Sequence, residues 1–261
     1  MILINNFSRG FELDLIRLCR NSPYGSRIIS YHTAYHGRNY NFLDFWIQYN
    51  DLNKTECAFC KYYSTLIICG TPCDTGEVCD FIQMLSPAKI LCDRSLDINL
   101  NISFVQGETM MCKSLSDVDL CSHEIVRLSS DMLNLKKVYA LLCEDKDSSV
   151  PLPDFEEYFL DISHRIRHGV SEVYAIFDDK GNILSTASLI AKSDSSSVIG
   201  CVATSTRKRC KGLATSLVYF ITQKEIDGGK NVYLHREKAI SIYERLGFET
   251  VGNWREYTFL N

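Results

Sequence analysis

The residues best suited to chemistry form a short basic turn at positions 209–214, with the sequence Arg-Cys-Lys-Gly-Leu-Ala. An apolar run at 198–204 precedes it, and Leu213, Leu217 and Ile221 follow it at helical spacing. The turn is therefore predicted to join a strand to a helix. The first N–H groups of a helix have no intrahelical acceptor and lie at the positive end of its dipole, so they stabilise an anion. This turn predicts binding of a phosphate or pyrophosphate.

Two small residues keep the approach to these N–H groups open. Gly212 has no side chain and permits turn conformations that are closed to other residues, and Ala214 adds only a methyl group. Lysines and arginines within residues 207–211 add positive charge around the same turn. A basic residue followed by Gly and Ala is a weak signal by itself, and an ordinary helix start with solvated cations is the competing interpretation.

A second motif lies further along the chain. Residues 231–235 are predicted to form a strand, and residues 238–248 a helix that ends at Gly247. Tyr243 lies in that helix, within an apolar stripe formed by residues 239, 242, 243 and 246. The stripe leaves two interpretations of Tyr243: a core aromatic whose hydroxyl has a partner, or a residue with a role in chemistry.

The order of strand, R-x-x-G-x-A, helix, strand and A-x-x-x-Y-x-x-x-G-F resembles the GNAT superfamily of N-acetyltransferases, which use acetyl-coenzyme A (acetyl-CoA). The resemblance covers residues 124–261. It implies a mixed α+β fold with a central, mostly antiparallel sheet and helices on both faces. It also implies an enzyme that moves an acetyl group from acetyl-CoA to a primary amine by direct transfer in a ternary complex.

The resemblance implies roles for individual residues. The backbone of Val202, Ala203 and Thr204 would pair with the pantetheine arm of the cofactor like an added strand. The residues that would hold the pyrophosphate are Arg209, Cys210, Lys211, Gly212, Leu213, Ala214 and Thr215. Tyr243, in the family's tyrosine position, would protonate the departing thiolate as general acid, because tyrosine has a pKa of about 10 and is protonated at neutral pH.

The sequence departs from the family pattern at two positions. Arg236 stands where many relatives carry an asparagine; its guanidinium would contact a cofactor phosphate or a substrate carboxylate, or lie solvated at a strand end. The run at 198–204 contains no carboxylate where several relatives place a glutamate. His235 is the first candidate for the general base, because an imidazole titrates near neutral pH. Glu237, Glu172 and a chain of water molecules are the alternatives.

The remaining patterns of the second half predict the scaffold around these motifs. They are a strand at 124–128, a helix capped by Ser130 or Asp131, a helix from Phe155 that ends at Gly169, and a hairpin of 173–177 and 183–190 around a turn at 178–182. The two helices commonly form the acceptor-side wall in the family.

The first half shows a fainter version of the same order. Strand-like runs occur near 42–48, 57–69 and 88–92, with a helical stripe at 78–85 between the last two. The turn before that helix carries Asp74 and Glu77, which would repel a pyrophosphate.

We therefore predict a degenerate GNAT-like domain at 1–117 and a catalytic domain at 118–261. The alternating pattern of 98–104 predicts a strand with one solvated face, and the polar run 114–122 predicts the boundary.

Composition excludes several classes of protein. A net charge of −4 and a pI near 5.9 argue against general nucleic-acid binding. No apolar run approaches the roughly 20 residues that cross a bilayer, and the N-terminal residues lack the form of a signal peptide. We expect a cytoplasmic protein without membrane or nucleic-acid partners, monomeric or homodimeric, whose acceptor is a small-molecule or peptide amine.

The chain has twelve cysteines, spread over its length, and most are expected to be reduced and buried. A zinc site at Cys57, Cys60, Cys69 and Cys73 is the less favoured alternative, because residues three apart in a strand point to opposite faces. The pairs His32–His36 and His164–His168 have helical ligand spacing but no acidic partner motif, so they are interpreted as surface or packing residues. No metal site is predicted.

Three functional classes remain open from the sequence. The first is the acetyltransferase, the second is a non-catalytic acyl-CoA sensor with the same fold, and the third is a structural pseudo-enzyme without cofactor. The identity of the amine and the length of the acyl chain are not determined by any motif.

Overall fold

The computed structural model describes residues 2–3, 9–35, 40–96, 98, 102–144, 152–238 and 241–259. Contacts divide the chain into two compact units. The first comprises Met1–Met110, His235–Ala239 and Thr250–Asn261, and the second comprises Met111–Leu234 and Ile240–Glu249. The C-terminal strand therefore groups with the first unit, a division that a single cut between residues 117 and 118 does not reproduce.

The first unit is built on a sheet with the strand order β1-β2-β3-β4-β5-β12-β6. Its elements are β1 (Ile2–Leu3), α1 (Arg9–Leu18), α2 (Pro23–Ala34), β2 (Leu43–Tyr49), β3 (Thr55–Tyr62), β4 (Thr65–Gly70), α3 (Thr75–Leu85), β5 (Lys89–Asp93), β6 (Ser103–Cys112) and β12 (Glu249–Thr258). Strands β4 and β5 are parallel, and β12 runs antiparallel to β5 with Trp254 opposite Asp93.

Helices pack on both faces of this first sheet. On one face, Phe81 and Ile82 of α3 pack against a cluster that includes Phe59. On the other face, the Cys69 thiol lies 3.4 Å from the Ser22 hydroxyl at the start of α2. Successive residues of a strand point to opposite faces, which explains why Ile68 and Cys69 contact different helices.

The second unit is built on strands in the order β11-β10-β9-β8-β7. Its elements are β7 (Val126–Leu128), α4 (Met132–Cys143), α5 (Phe155–Arg167), β8 (Glu172–Phe177), β9 (Ile183–Lys192), β10 (Ser196–Thr204), a 3₁₀ turn (Thr206–Lys208), α6 (Leu213–Asp227), β11 (Asn231–Arg236) and α7 (Ser241–Arg245). The last two residues of β11 group with the first unit.

Helices also pack on both faces of the sheet in the second unit. Val138 of α4 and Ile162 of α5 share a buried cluster with Val173 and other sheet residues. Tyr174, the next residue of β8, points the opposite way and packs against Phe220 of α6 at 5.7 Å between ring centroids. The predicted mixed α+β fold with a mostly antiparallel sheet and helices on both faces is confirmed.

Several elements follow the sequence patterns closely. Asp131 and Asp154 cap α4 and α5, and their carboxylates each accept the N–H of the third residue of the helix, at 2.9 Å. The predicted hairpin is formed by β8 and β9. The strand predicted at 98–104 corresponds only to the start of β6, and residues 97 and 99–101 of that pattern lie outside the described part of the chain.

All twelve cysteines are free thiols, and six of them are buried: Cys19, Cys57, Cys60, Cys69, Cys92 and Cys112. Cys57 belongs to the cluster under α3. Within the described residues, no group of three or more His, Cys, Asp or Glu side chains is arranged to hold a metal ion. None of the described helices is long and apolar enough to span a bilayer.

Of the histidines in the two pairs, His32, His164 and His168 lie in the described part of the chain. His164 and His168 lie one turn apart, with ring centroids 4.1 Å apart and the His168 Nδ1 atom 2.9 Å from the His164 carbonyl oxygen. His32 is buried beside Glu12 and Phe45. His36 lies outside the described residues.

Candidate active site

The site in the second unit begins where β10 changes its pairing. β10 and β11 are parallel, and their registered pairs run from Ser196 with Asn231 to Ile199 with Leu234. β10 itself continues to Thr204. On this edge, the backbone at 202–204 has no registered strand partner among the described residues.

The same stretch of β10 contains a β-bulge. The register with β9 shifts between Gly200 and Ala203, and Cys201 within the bulge has a positive φ of 52°. A bulge bends its strand and increases its twist, and bulges are over-represented next to active sites. The Ser185 hydroxyl on β9 donates to the Ala203 carbonyl at 3.0 Å and lies 2.8 Å from the Thr204 hydroxyl, which fixes the end of β10.

A tight connection leads from β10 to α6. It includes the 3₁₀ turn and two residues with positive φ, Cys210 at 60° and Gly212 at 75°. The Arg209 side chain donates from Nε to the Thr204 carbonyl at 3.4 Å, so it folds back on the strand end. The side chains of Arg207, Arg209 and Lys211 are exposed, which gives the connection a positive surface.

The start of α6 differs from that of the three helices that begin with aspartate. In α3, α4 and α5 an aspartate carboxylate accepts a first-turn N–H. At α6 the cap position is Gly212, which has no side chain to accept such a bond, and a Cβ there would have no atom within 4 Å. The open space and the free end of the dipole together suit an external anion.

Tyr243 lies in α7, the short helix of the second motif. Its ring packs edge-on against Phe248 at 6.1 Å, and its backbone carbonyl accepts the Phe248 N–H at 3.0 Å. The helix ends at Gly247, whose φ of 94° is the left-handed conformation expected of a C-terminal glycine. Residues 239 and 240 of this motif lie outside the described residues.

His235, the predicted base, is half-buried, its Nε2 atom is buried, and it groups with the first unit. Its ring stacks on Trp254 at 5.7 Å and lies 5.5 Å from the Tyr24 ring. Burial, and then the charge of Arg27, lower its pKa well below the ordinary value. A group with so low a pKa is a weak base near neutral pH, so these surroundings do not favour the predicted role.

Arg236 has a partner of its own. Its guanidinium is only 9% exposed and binds Glu108, with Nε 2.6 Å from the carboxylate oxygen. The solvated alternative is therefore wrong. Glu237, one of the alternative bases, is exposed.

Glu172, the other alternative base, lies at the far end of the sheet from residues 202–204. It pairs with Leu189 at the start of β8, and its carboxylate accepts hydrogen bonds from Lys192, Lys224 and Tyr174. Burial alone would raise its pKa, but these bonds lower it to about 2. Such a carboxylate is a poor proton acceptor, and its position does not fit the role of base.

Two residues near the bulge were not identified from the sequence as part of the site. Tyr158 of α5 was assigned only to the helix stripe, but it packs on the core cluster that contains Ala203. Its pKa is raised, mainly by burial and next by Cys201. Ser185 lies in an apolar strand without any motif. For Tyr158, the one signal in the sequence was its place in the helix at 155–166, which was predicted to form part of the acceptor-side wall. For Ser185 there was no signal.

The model of the acetyltransferase (GNAT) family matches residues 135–248, a stretch that includes β10, α6 and Tyr243. Residues 135–248 therefore form a GNAT acetyltransferase domain. The general activity of that family is transfer of an acetyl group from acetyl-CoA to an amine. No curated protein sequence is significantly similar to the chain.

Solved structures extend the likeness to nearly the whole chain. A Drosophila protein has 11% sequence identity and a TM-score of 0.66, over 98% of both chains. A tandem GNAT protein from the clavulanic acid biosynthesis pathway has 11% identity and a TM-score of 0.58, over 99% of this chain and 97% of that one. A GNAT-family acetyltransferase from Colwellia psychrerythraea has 12% identity and a TM-score of 0.57, over 99% of both. These likenesses establish the fold.

Proposed function

We propose that this protein is an acetyl-CoA-dependent N-acetyltransferase that moves an acetyl group to a primary amine by direct transfer in a ternary complex. The observation that carries the proposal is the start of α6, where Gly212 leaves the first-turn N–H groups without a side-chain cap. This start follows directly on a bulged strand whose edge at 202–204 has no registered partner among the described residues.

The residues present fit the cofactor. The pyrophosphate would be held by the backbone N–H groups of 210–215, and the open space at Gly212 allows the close approach that this requires. The exposed cations of 207–211 supply charge complementarity. The pantetheine arm would add to the edge of Val202, Ala203 and Thr204 as an extra strand.

Acetyl-CoA supplies the activated acetyl group as a thioester. The part of the protein is mainly positioning, since holding two reactants in the right geometry can remove several kcal/mol from a barrier. A strand N–H near Val202 would polarise the carbonyl. The Tyr243 hydroxyl would donate its proton to the leaving thiolate. The lowered pKa of His235 makes it a weak base. We therefore propose that a chain of water molecules carries the proton of the amine to solvent.

The acceptor would bind against the wall formed by α4 and α5, where Tyr139, Phe155, Tyr158 and Phe159 form an aromatic cluster. We assign no acceptor beyond a primary amine of a small molecule or peptide. Thiols that form no disulfide are the state expected of cysteines in a reducing cytoplasm, which is where we place the protein.

The first unit would be a degenerate copy without a cofactor site. The helix of this unit that corresponds to α6 is α3. Its N-terminus is capped by its own residues, because the Asp74 carboxylate accepts the Glu77 N–H at 3.0 Å. The buried Gln48 amide adds bonds to the Asp74 carbonyl and to the Glu77 carboxylate. Two carboxylates thus occupy the place where phosphates would bind, and like charges exclude an anion there.

The experiment that tests this proposal is thermal unfolding with and without acetyl-CoA. At about a hundred times the dissociation constant, the cofactor should stabilise the protein by roughly 2.7 kcal/mol, a rise of a few degrees. Gly212→Asp should abolish the rise, since its carboxylate would occupy the anion site. Gly229→Asp is the matched control, because Gly229 has the same φ of 75° and open space at the other end of α6. A wild-type protein that folds but shows no rise would contradict the proposal.

The acyl-CoA sensor remains a second candidate, favoured by the absence of a carboxylate in β10 and by the low pKa of His235. Tyr243→Phe distinguishes the two. An enzyme that uses this hydroxyl as acid should lose turnover by roughly 10²-fold or more while keeping its affinity for acetyl-CoA. Tyr219→Phe, on the half-buried side of α6, is the control. Binding of acetyl-CoA without release of free thiol for any amine tested would favour the sensor.

A further inference from the structure

Two buried thiols of the first unit lie in contact beneath a turn at the surface. Cys19 directly follows α1 and is 1% exposed, and Cys69 of β4 is 2% exposed. A hydrogen bond joins the two thiols. The next two residues of the turn, Arg20 and Asn21, are exposed, so the buried Cys19 adjoins the surface of the protein.

The packing of the turn between α1 and α2 holds the two cysteines close. The Cys69 Sγ atom lies 3.9 Å from the carbonyl oxygen of Leu18, the residue before Cys19, and 3.4 Å from the Ser22 hydroxyl. A Cβ at Gly25 of α2 would lie 2.6 Å from the Cys19 Cα atom, so α2 packs tightly against the same turn. A disulfide joins cysteines whose Cα atoms are about 4.4–6.8 Å apart. Because the Cys69 sulfur already contacts the turn that carries Cys19, closing the bond requires little movement of the backbone.

The two thiols differ in acidity, as a thiol and its oxidation partner should. The pKa of Cys69 is lowered, first by the hydrogen bond from Cys19 and then, against the effect of burial, by those from Ser22 and the Gly25 N–H. The last two groups belong to the start of α2, and the start of a helix stabilises a thiolate. Burial, and next Cys69, raise the pKa of Cys19. Cys69 is therefore the nucleophile of the two, and Cys19 keeps its proton.

The pair is better suited to oxidation than to holding a metal ion. Over the described part of the chain, no third His, Cys, Asp or Glu side chain completes a metal-binding group with them. In a reducing compartment, the disulfides that do form are usually transient and respond to oxidants. We propose that Cys19 and Cys69 form a reversible disulfide when the protein meets a hydroperoxide.

The reaction has two steps that balance. The Cys69 thiolate attacks an oxygen of hydrogen peroxide, so that an S–O bond forms, the O–O bond breaks, and the departing hydroxide takes up the proton that Cys69 released. The Cys19 sulfur then attacks the sulfur of the resulting sulfenic acid, so that the S–S bond forms and water leaves with the proton of Cys19. The two thiols lose two electrons, and one peroxide becomes two water molecules.

The disulfide would tie the turn after α1 to strand β4. The chain from Cys19 to Cys69 would become a closed loop, which reduces the conformational freedom of the unfolded chain. The oxidised protein should therefore unfold several degrees higher than the reduced protein. Dithiothreitol should reverse this rise.

Peroxide treatment of the full chain tests the proposal. The protein is titrated with hydrogen peroxide, its remaining thiols are blocked with N-ethylmaleimide in urea at acid pH, and it is digested without reductant for mass spectrometry. The expected result is a linked peptide pair that contains Cys19 and Cys69 and disappears with dithiothreitol. Recovery of both as free thiols after the exposed Cys73 is fully oxidised would overturn the proposal. Recovery of Cys69 as a sulfinic acid without any link to Cys19 would do so as well.

Three alanine variants identify the partners. Cys19→Ala and Cys69→Ala should each lose the linked peptides and the peroxide-dependent rise in Tm. Cys60→Ala is the matched control, because Cys60 is a buried thiol of β3 that also acts on Cys19, and it should keep both. A link between Cys19 and Cys60, or a rise in Tm that survives in Cys69→Ala, would show that the assigned pair is wrong. The peptide map of the wild-type protein decides the question by itself if a variant does not fold.

Discussion

Gly212 and Gly229 lie at the two ends of α6 with the same φ of 75° and with open space where a Cβ would lie. Both positions require the same left-handed backbone conformation. Only the Gly212 end is the start of the helix, where N–H groups lack an intrahelical acceptor. One pair of substitutions can therefore separate an effect on stability from an effect on the proposed binding of a phosphate.

Gly212→Ala and Gly229→Ala should each destabilise the protein by about 1 kcal/mol, because alanine is strained in the left-handed conformation. Neither methyl group meets another atom, so no steric term is added. Urea unfolding of both variants checks the prediction. A loss several times larger at Gly212 would mean that this residue has packing contacts that the structure does not show.

Glu172 should contribute to stability in a pH-dependent way. Its carboxylate is 4% exposed and its pKa is lowered from 4.5 to about 2, a difference worth about 3 kcal/mol. Because the folded pKa is depressed, this stability is present above about pH 4.5 and is lost as the pH falls towards 2.

Glu172→Gln should therefore cost several kcal/mol at pH 7, where it leaves Lys192 and Lys224 without their carboxylate, and much less near pH 2. Urea unfolding across this pH range measures the difference. Glu124→Gln, at an exposed position of the same unit, should change little at any pH. A constant difference between wild type and Glu172→Gln from pH 7 to pH 2 would refute the assigned pKa.

The local parts of this fold could be predicted from the sequence because they depend on neighbours. The Asp131 cap, the helix from Phe155, the Gly247 helix end and the turn at 209–214 each follow from residues a few positions apart. Helices α1 and α2 and strand β12 carried no comparable signal. Pairing of β12 with β5 joins residues more than half the chain apart, and no periodic pattern encodes such a partner.

The site was predictable to a similar extent. The motif predicted the turn with Gly212 and its exposed cations, because a strand-to-helix turn is a local structure. The low pKa of His235 could not be anticipated, since its surroundings come from Tyr24 and Trp254, which are distant in sequence. Arg236 was expected to face a ligand or solvent, and only the tertiary structure brings Glu108 to it.

The pairing of Arg236 with Glu108 predicts a structural role for the arginine. Arg236→Lys should destabilise the protein by about 1 kcal/mol, because one ammonium cannot replace the planar guanidinium, while the 41% exposed Glu108 side chain keeps the pair partly solvated. Its affinity for acetyl-CoA should stay close to that of wild type. Urea unfolding and a binding titration test the two statements separately. A large loss of affinity with unchanged stability would instead support the contact with the cofactor predicted from the sequence.

Cys201 and Cys210 are both exposed, and both have a positive φ, 52° and 60°. Left-handed backbone costs an ordinary residue about 1–2 kcal/mol, and glycine avoids most of that cost. Cys201→Gly and Cys210→Gly should each be neutral or stabilising by up to about 1 kcal/mol.

Direct transfer also predicts that turnover survives Cys201→Gly, because no thiol of the protein carries the acetyl group. Release of free coenzyme A with an accepted amine measures turnover, and Cys210→Gly controls for the change of backbone on the same connection. Loss of turnover in Cys201→Gly alone, with acetyl-CoA affinity retained, would show that the bulge thiol takes part in the reaction. A covalent acetyl-cysteine detected by mass spectrometry would then replace the ternary-complex mechanism.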